Sequence, residues 1–327
     1  MNHKEFEKTL CSTHLLLPPL SGYTDYPYRQ ILAHFSPPFI ITEMVNARAI
    51  IEGNKKTQLM IQMEKGSYYK GSQLVGNNPD EMCDAALILE KKGFDYIDIN
   101  MGCTVKKVIA KKQGVALMRD ESLAKTIVQS VSETVHIPVT VKLRTGFSEN
   151  NKNVLSLSRK LEQAGANAIT VHGRSGEKKF GHNIDYDIIT KVAETLSIPV
   201  IANGGINGNN AFKIFKKTGV SAVMPGRSII GNPWIIQEIF HSFNQSTFQG
   251  PLLDKKKNIA LEHVRNLCRF YGDISGILKC RKIIPKYFSK TVNSANLKND
   301  IRQVTSFVQL KRLIDNISER NGISVYH

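Results

Sequence analysis

A TIM-type (β/α)8 barrel of the α/β class, followed by an all-α helical tail, is the architecture that three features of this 327-residue chain predict. Eight short apolar, β-rich runs recur through the first 230 residues, with helical segments between most of them. No glycine-rich GxGxxG turn follows the first run, as a doubly wound open sheet would normally show. After about Gly250 the strand-like runs stop and helical periodicity remains. Strands alternating with helices build a parallel sheet, and eight such units imply closure into a barrel. The expected division is a barrel over residues 1–245 and a basic helical unit over 250–327.

In order, the runs are Leu15–Leu17, Phe39–Thr42, Gln73–Val75, Tyr96–Ile99, Val139–Leu143, Ala168–Val171, Val200–Ala202 and Ala222–Met224. Between the third and fourth, Asn78-Pro79 supplies a cap and a first-turn proline, and Gly93 closes the helix. Asp120 can cap the next helix, whose Leu123, Ile127 and Val131 share a face. Val154, Leu157, Leu161 and Ala164 keep the helical period up to Gly165. Gly219 closes another helix, and Ile-Pro-Val introduces two of the strands, at 137–139 and 198–200. In the tail, Ile259, His263, Leu267 and Phe270 make a helical stripe. A second helix is expected over Ile277 to Phe288, bent or divided by Pro285, and a third over Leu297 to Ile317.

Hydrophobic content of 41% is enough for a full core. No apolar run approaches the roughly 18 residues that cross a bilayer, so no membrane span is expected. Five scattered cysteines without a CxxC pair or metal-ligand spacing favour a reduced, cytoplasmic compartment and no metal site. Net charge is +16. From Pro251 onward there are 15 Lys and Arg against 6 Asp and Glu, while the first 250 residues hold 29 against 22. A basic excess concentrated in the tail favours a nucleic-acid surface there, although a basic balance alone can mean only solubility.

Several polar residues fall at the ends of the predicted strands, where a barrel does its chemistry. Gln73 sits in the third run, Cys103 follows the fourth, Lys142 lies in the fifth, His172 follows the sixth and Asn203 the seventh. In Asp98-Ile99-Asn100-Met101-Gly102-Cys103 the glycine allows a turn that presents the thiol as a nucleophile or proton donor. The bland alternatives are a small buried thiol, a surface amide and a structural histidine. Lys142 is different, because an ammonium inside Val-Thr-Val-Lys-Leu is costly to desolvate without an anion facing it. Asn203-Gly204-Gly205 and Gly226-Arg227 occupy the last two strand–helix loops, a barrel's habitual phosphate site.

At this point the chain resembles the tRNA-dihydrouridine synthase family, and most closely its bacterial B-type branch. The matching motifs are Pro19 to Asp25, Gln73 to Gly76, Asp98 to Cys103 with Lys106-Lys107, and Val141 to Gly146. They continue with His172-Gly173-Arg174, Ala202 to Gly205, Gly226-Arg227 and, in the tail, Arg281-Lys282. The resemblance implies an FMN enzyme that reduces the C5–C6 bond of a tRNA uridine and is recharged by NADPH; no obligate protein partner is evident in the sequence, and a monomer is expected. By the same resemblance Pro19, Leu20 and Ser21 lie against the flavin, and Gln73 bonds its ring. Lys142 faces the pyrimidine side of that ring, which agrees with the argument from its buried charge. His172 contacts the ring or ribityl region, and Asn203, Gly204, Gly205, Gly226 and Arg227 hold the phosphate. Asn100 bonds the uracil, and Cys103 donates the proton. The basic tail, with Lys255–Lys257, Arg281, Lys282, Lys286 and Lys290, is suited to gripping the phosphates of the tRNA.

The chain departs from the family pattern at Thr104, where proline is usual, at Gly205, where an acid is common, and at Tyr23. None of these removes a catalytic group. Two rival readings are an FMN barrel acting on a free pyrimidine or enone, and a flavin-free RNA-binding protein. The first leaves the basic tail without a purpose, and the second leaves Gln73, Cys103 and Lys142 without one.

Overall fold

The computed structural model describes residues 1–63, 66–178, 183–289 and 294–318. Among these residues, seven strands form one parallel sheet paired in chain order: β1 (Phe39–Asn46), β2 (Tyr69–Val75), β3 (Tyr96–Met101), β4 (Val139–Arg144), β5 (Ala168–His172), β6 (Val200–Asn203) and β7 (Ala222–Met224). The sheet curls until Leu15, ahead of β1, bridges in parallel to Val223 of β7. Helices surround it, as in a TIM-like α/β barrel. The first apolar run is therefore a single bridge, not the eighth strand expected. Its two ladder bonds, Leu16 N–H to Val223 O at 3.1 Å and Val223 N–H to His14 O at 2.9 Å, are followed by Pro18 and Pro19. Proline has no N–H to donate, so the ladder stops there.

Alternate residues along each strand face opposite ways. Outward residues such as Ile97, Ile99, Val141 and Val171 pack in one core with the surrounding helices. Those helices begin as their caps dictate: Asn78 accepts from Glu81 N–H at 3.0 Å ahead of Pro79–Lys91, and Asp120 from Leu123 N–H at 3.0 Å ahead of Glu121–Thr134. Inward, the N-terminal strand ends are filled by Phe39, Ile41, Tyr96, Ala168, Ile201 and Ala222. The His3–Thr13 helix closes this end with Phe6 and Leu10, the Phe6 ring lying 5.2 Å from Phe39 and 5.4 Å from Tyr96. Gly71 leaves the room that the Tyr96 ring occupies; a Cβ there would sit 2.1 Å from it. With one end sealed by aromatic packing, polar chemistry is left to the other.

Past the sheet, helices run over Leu253–Tyr271, Asp273–Tyr287, Ser294–Gln303 and Phe307–Asp315. Their apolar residues, Val264, Leu267, Ile283 and Ile284 among them, are continuous with the core outside the sheet. His263 stacks on Tyr28 of the Tyr26–Ala33 helix with ring centroids 4.9 Å apart. Pro285 lies in the last turn of its helix, which ends two residues later. The single helix expected over Leu297 to Ile317 is two. The break is made by Ser306, whose side chain accepts from Gln309 N–H at 3.3 Å and starts a new helix, while Thr305 N–H bonds the Gln309 side chain at 2.9 Å.

Candidate functional site

Partners in a parallel ladder share a face, and steps of two along each strand stay on it. Gln73, Asp98 and Thr140 are register partners on β2, β3 and β4. Asn100, Lys142 and Thr170 form the next rung, and Arg144, His172 and Asn203 the one above. A polar ladder thus climbs the inside of the barrel, from the sealed apolar end to the C-terminal strand ends.

The lowest rung is a closed network. Gln73 Nε2 donates to Asp98 Oδ2 at 2.6 Å, and Thr140 Oγ1 donates to Asp98 Oδ1 at 2.7 Å. The Gln73 carbonyl oxygen accepts from Asn100 Nδ2 at 2.8 Å. Asn100 then shapes the cysteine turn: its Oδ1 accepts from Gly102 N–H at 3.1 Å and Cys103 N–H at 2.9 Å. Cys103 O accepts in turn from Val115 N–H at 3.0 Å. The half-buried thiol is therefore presented on a turn whose backbone is tied down at both ends of the residue.

On the opposite side, Lys142 Nζ donates to Asn203 Oδ1 at 3.1 Å, and Asn203 Nδ2 to Met224 O at 2.9 Å. Gly204 and Gly205 follow β6 with φ of +114° and +66°, values that glycine adopts without strain. A Cβ on Gly204 would lie 2.8 Å from the His172 ring, so this backbone passes directly against the imidazole. Tyr186 donates to Gly204 O at 2.9 Å, and Ser228 to Ile206 O at 2.7 Å, tying the loops after β6 and β7 together. At Gly226 a Cβ would meet nothing within 4 Å.

The electrostatics mark where an anion belongs. Burial pushes the Asp98 carboxyl up against its two hydrogen bonds and the pull of Lys142. Burial, helped by Arg144, pushes the Lys142 ammonium down while Asp98 resists. His172 is drawn down to about 2, first by burial and then by Lys142, Arg144, Arg174 and Arg227. The imidazole is therefore neutral in any ordinary buffer, in a field set by four cations. Glycine backbone without side chains, two arginines and a neutral imidazole form a cradle that fits a phosphate, and Lys142 fits a delocalised anion beside it.

Among the residues singled out from the sequence, the structure joins Gln73, Asn100, Cys103, Lys142, His172, Asn203, Gly204 and Gly205 at one strand end. Arg227 reaches them through its field on His172, and Gly226 precedes it. Pro19, Leu20 and Ser21 lie on a loop fastened over β1, where Gly22 N–H donates to the Glu43 carboxylate. Lys282 comes to this loop from the tail, its ammonium 4.8 Å from the centre of the Tyr23 ring. Arg281 is turned elsewhere: one guanidinium nitrogen donates to Val304 O at 3.1 Å. With Leu278, Lys279 and Arg302, these two line an open groove of about 530 Å³. Lys257 donates to Asp315 O at 2.8 Å, and Lys290 lies outside the described residues.

Sequence reasoning gave no role to Asp98, Arg144, Arg174 or Tyr186, although the first three lie within motifs it quoted. The signal for Asp98 was present, since a carboxylate inside a fully buried run raises the same cost that drew attention to Lys142.

The chain matches the dihydrouridine synthase (Dus) family over residues 16–321. It is 35% identical over 306 residues to a probable tRNA-dihydrouridine synthase of Rickettsia conorii, covering 93% of this chain and 92% of that one. It is 36% identical over 275 residues to the tRNA-dihydrouridine synthase B of Pasteurella multocida, covering 84% and 83%. A solved structure of histamine dehydrogenase from Rhizobium sp. 4-9 superposes with a TM-score of 0.51 at 11% identity, covering 79% of this chain and 48% of that one, a likeness of fold alone. On a match that spans nearly the whole chain, this protein belongs to the dihydrouridine synthase family.

Proposed function

We propose that this protein is an FMN-dependent tRNA-dihydrouridine synthase of the cytoplasm, with residues 1–245 as the catalytic barrel and 250–327 as a basic helical tRNA-binding unit. The observation that carries the reading is the pairing of an anion cradle with a thiol turn at one strand end. Gly204, Gly205, Gly226, Arg174 and Arg227 would hold the phosphate of FMN. Lys142 would face the ring, over the floor made by Gln73 and Asp98, with Pro19, Leu20 and Ser21 flanking it. The chemistry that FMN would supply there, once recharged by NADPH, is a hydride to one carbon of the uracil C5–C6 bond.

The chain's own residues complete the addition. Cys103, on a turn fixed by Asn100 and Val115, holds the proton that the other carbon must receive. Asn100 already spends its carbonyl oxygen on that turn and one amide N–H on Gln73, which leaves its second N–H for the uracil. A uridine must leave its stack to enter the barrel mouth, and the binding energy comes from elsewhere in the RNA. The groove lined by Lys279, Lys282 and Arg302 offers it phosphate contacts next to the loop at Tyr23. Nucleoside mass spectrometry of unmodified tRNA incubated with protein, FMN and NADPH tests the proposal. Dihydrouridine should form with the wild type and fall by at least about a hundredfold with Cys103→Ala, the usual worth of a positioned acid. Flavin binding without product on any tRNA would defeat the substrate assignment, and equal product from both proteins would remove Cys103 from the chemistry.

A further inference from the structure

Arg144 is a motif residue to which the proton transfer assigns no task, yet it is the side chain that links the cysteine turn to the rest of the barrel mouth. It ends β4, in register with His172 of β5. Its Nε donates to Gly102 O at 2.8 Å, and its Nη1 donates to Ser175 O, in the loop after β5, also at 2.8 Å. The two directions of one planar guanidinium thus tie the residue before Cys103 to the loop that carries Arg174. The first of these bonds sets the guanidinium against the peptide that joins Gly102 to Cys103. Burial and Arg174 draw the Arg144 guanidinium down to about 10, while an ionised Cys103 acts in its favour.

We propose that Arg144 is a positioning residue for Cys103: it fixes the Gly102 carbonyl and provides the cation that balances the sulfur's charge once the proton has left. The inference rests on the reading of Cys103 as proton donor. In that step the S–H bond breaks and a C–H bond forms at the uracil carbon that does not receive the hydride. The hydride comes from the reduced flavin, and the thiolate left behind regains a proton from solvent. A thiolate in a half-buried turn is costly without a facing cation, and Arg144 is built into the turn that carries it.

The test is the rate of Cys103 alkylation by iodoacetamide as a function of pH, read by peptide mass spectrometry on the full chain, for wild type, Arg144→Gln and Arg144→Lys. Losing an opposite charge at close range moves a thiol by at least about one pH unit, so Arg144→Gln should label Cys103 about tenfold more slowly near neutral pH and recover at higher pH. Exposed Cys11 should label at the wild-type rate in every variant. Arg144→Lys keeps the charge without the fork and should stay within about threefold of wild type. Superimposable Cys103 profiles for wild type and Arg144→Gln would overturn the proposal. If Arg144→Gln unfolds and labels all its cysteines alike, Arg144→Lys decides, and a profile displaced to high pH despite the retained charge would overturn it. Alkylation needs neither tRNA nor turnover, so a failure of the synthase reading shows separately, as absence of dihydrouridine with the labelling shift intact.

Discussion

Three glycines allow the geometry of the phosphate cradle to be tested one factor at a time. At Gly204 an alanine meets two obstacles: φ is +114°, and the new Cβ would lie 2.8 Å from His172 Cδ2 and 3.1 Å from Ile184 Cδ1. Backbone strain costs about 1–2 kcal/mol and overpacking about 1–3, so Gly204→Ala should lose about 2–5 kcal/mol. At roughly 2 °C per kcal/mol in a chain of this size, the melting temperature should fall by about 4–10 °C. Gly219 has φ of +65° but open space around its Cβ position, so Gly219→Ala should show the strain alone, about 1 kcal/mol. Gly226 has no neighbour within 4 Å of a Cβ, so Gly226→Ala clashes with nothing in the fold. Its methyl group would, however, stand in the space assigned to the phosphate. Thermal unfolding without FMN and FMN titration by fluorescence quenching separate these effects. Gly204→Ala should weaken both, Gly219→Ala stability alone, and Gly226→Ala flavin affinity. A Gly204→Ala protein with wild-type melting and wild-type FMN affinity would refute the reasoning.

Acid should destabilise the fold through His263, which burial draws down to about 3. Between its unfolded value near 6.5 and about 3, the unfolded chain takes up a proton that the folded chain refuses, so stability falls as pH falls. From pH 7 to pH 5 the loss is about 2 kcal/mol. His263→Phe should flatten that part of the urea-midpoint profile, and an unchanged slope would show that the histidine is not the group responsible. In the tail, Lys282→Glu should weaken tRNA binding in a filter titration while flavin content holds. Arg281→Glu should also lower the melting temperature, because it releases the Val304 carbonyl. Wild-type tRNA affinity in both variants would take the groove out of the interface.

Much of the fold was legible because one-dimensional periodicity reports burial directly. Runs such as Val139–Leu143 and Ala168–Val171 are legible as strands because they are short and rich in β-branched residues, as strands buried in a parallel sheet are. Helix starts at Asn78 and Asp120 were legible because a cap is a contact between residues three apart. The first run became only a bridge because a strand needs a partner on the next segment, and Pro18-Pro19 withdraws the donors. The break at Ser306 was hidden, since Val304 and Val308 keep helical spacing across a cap that interrupts the helix.

At the site, the sequence by itself determined which chemical groups stand at the strand ends: a thiol after a glycine, a lysine in a buried run, and glycine loops after the last two strands. Those are local facts about residue type and position. Only the tertiary structure decided how they combine. The Asp98–Gln73–Asn100 relay, the field of Lys142, Arg144, Arg174 and Arg227 on His172, and the Arg144 bond to Gly102 each join strands separated by dozens of residues. Register and barrel closure set those distances, and hydrogen bonds and charges act through distance in space, which no spacing along the chain records.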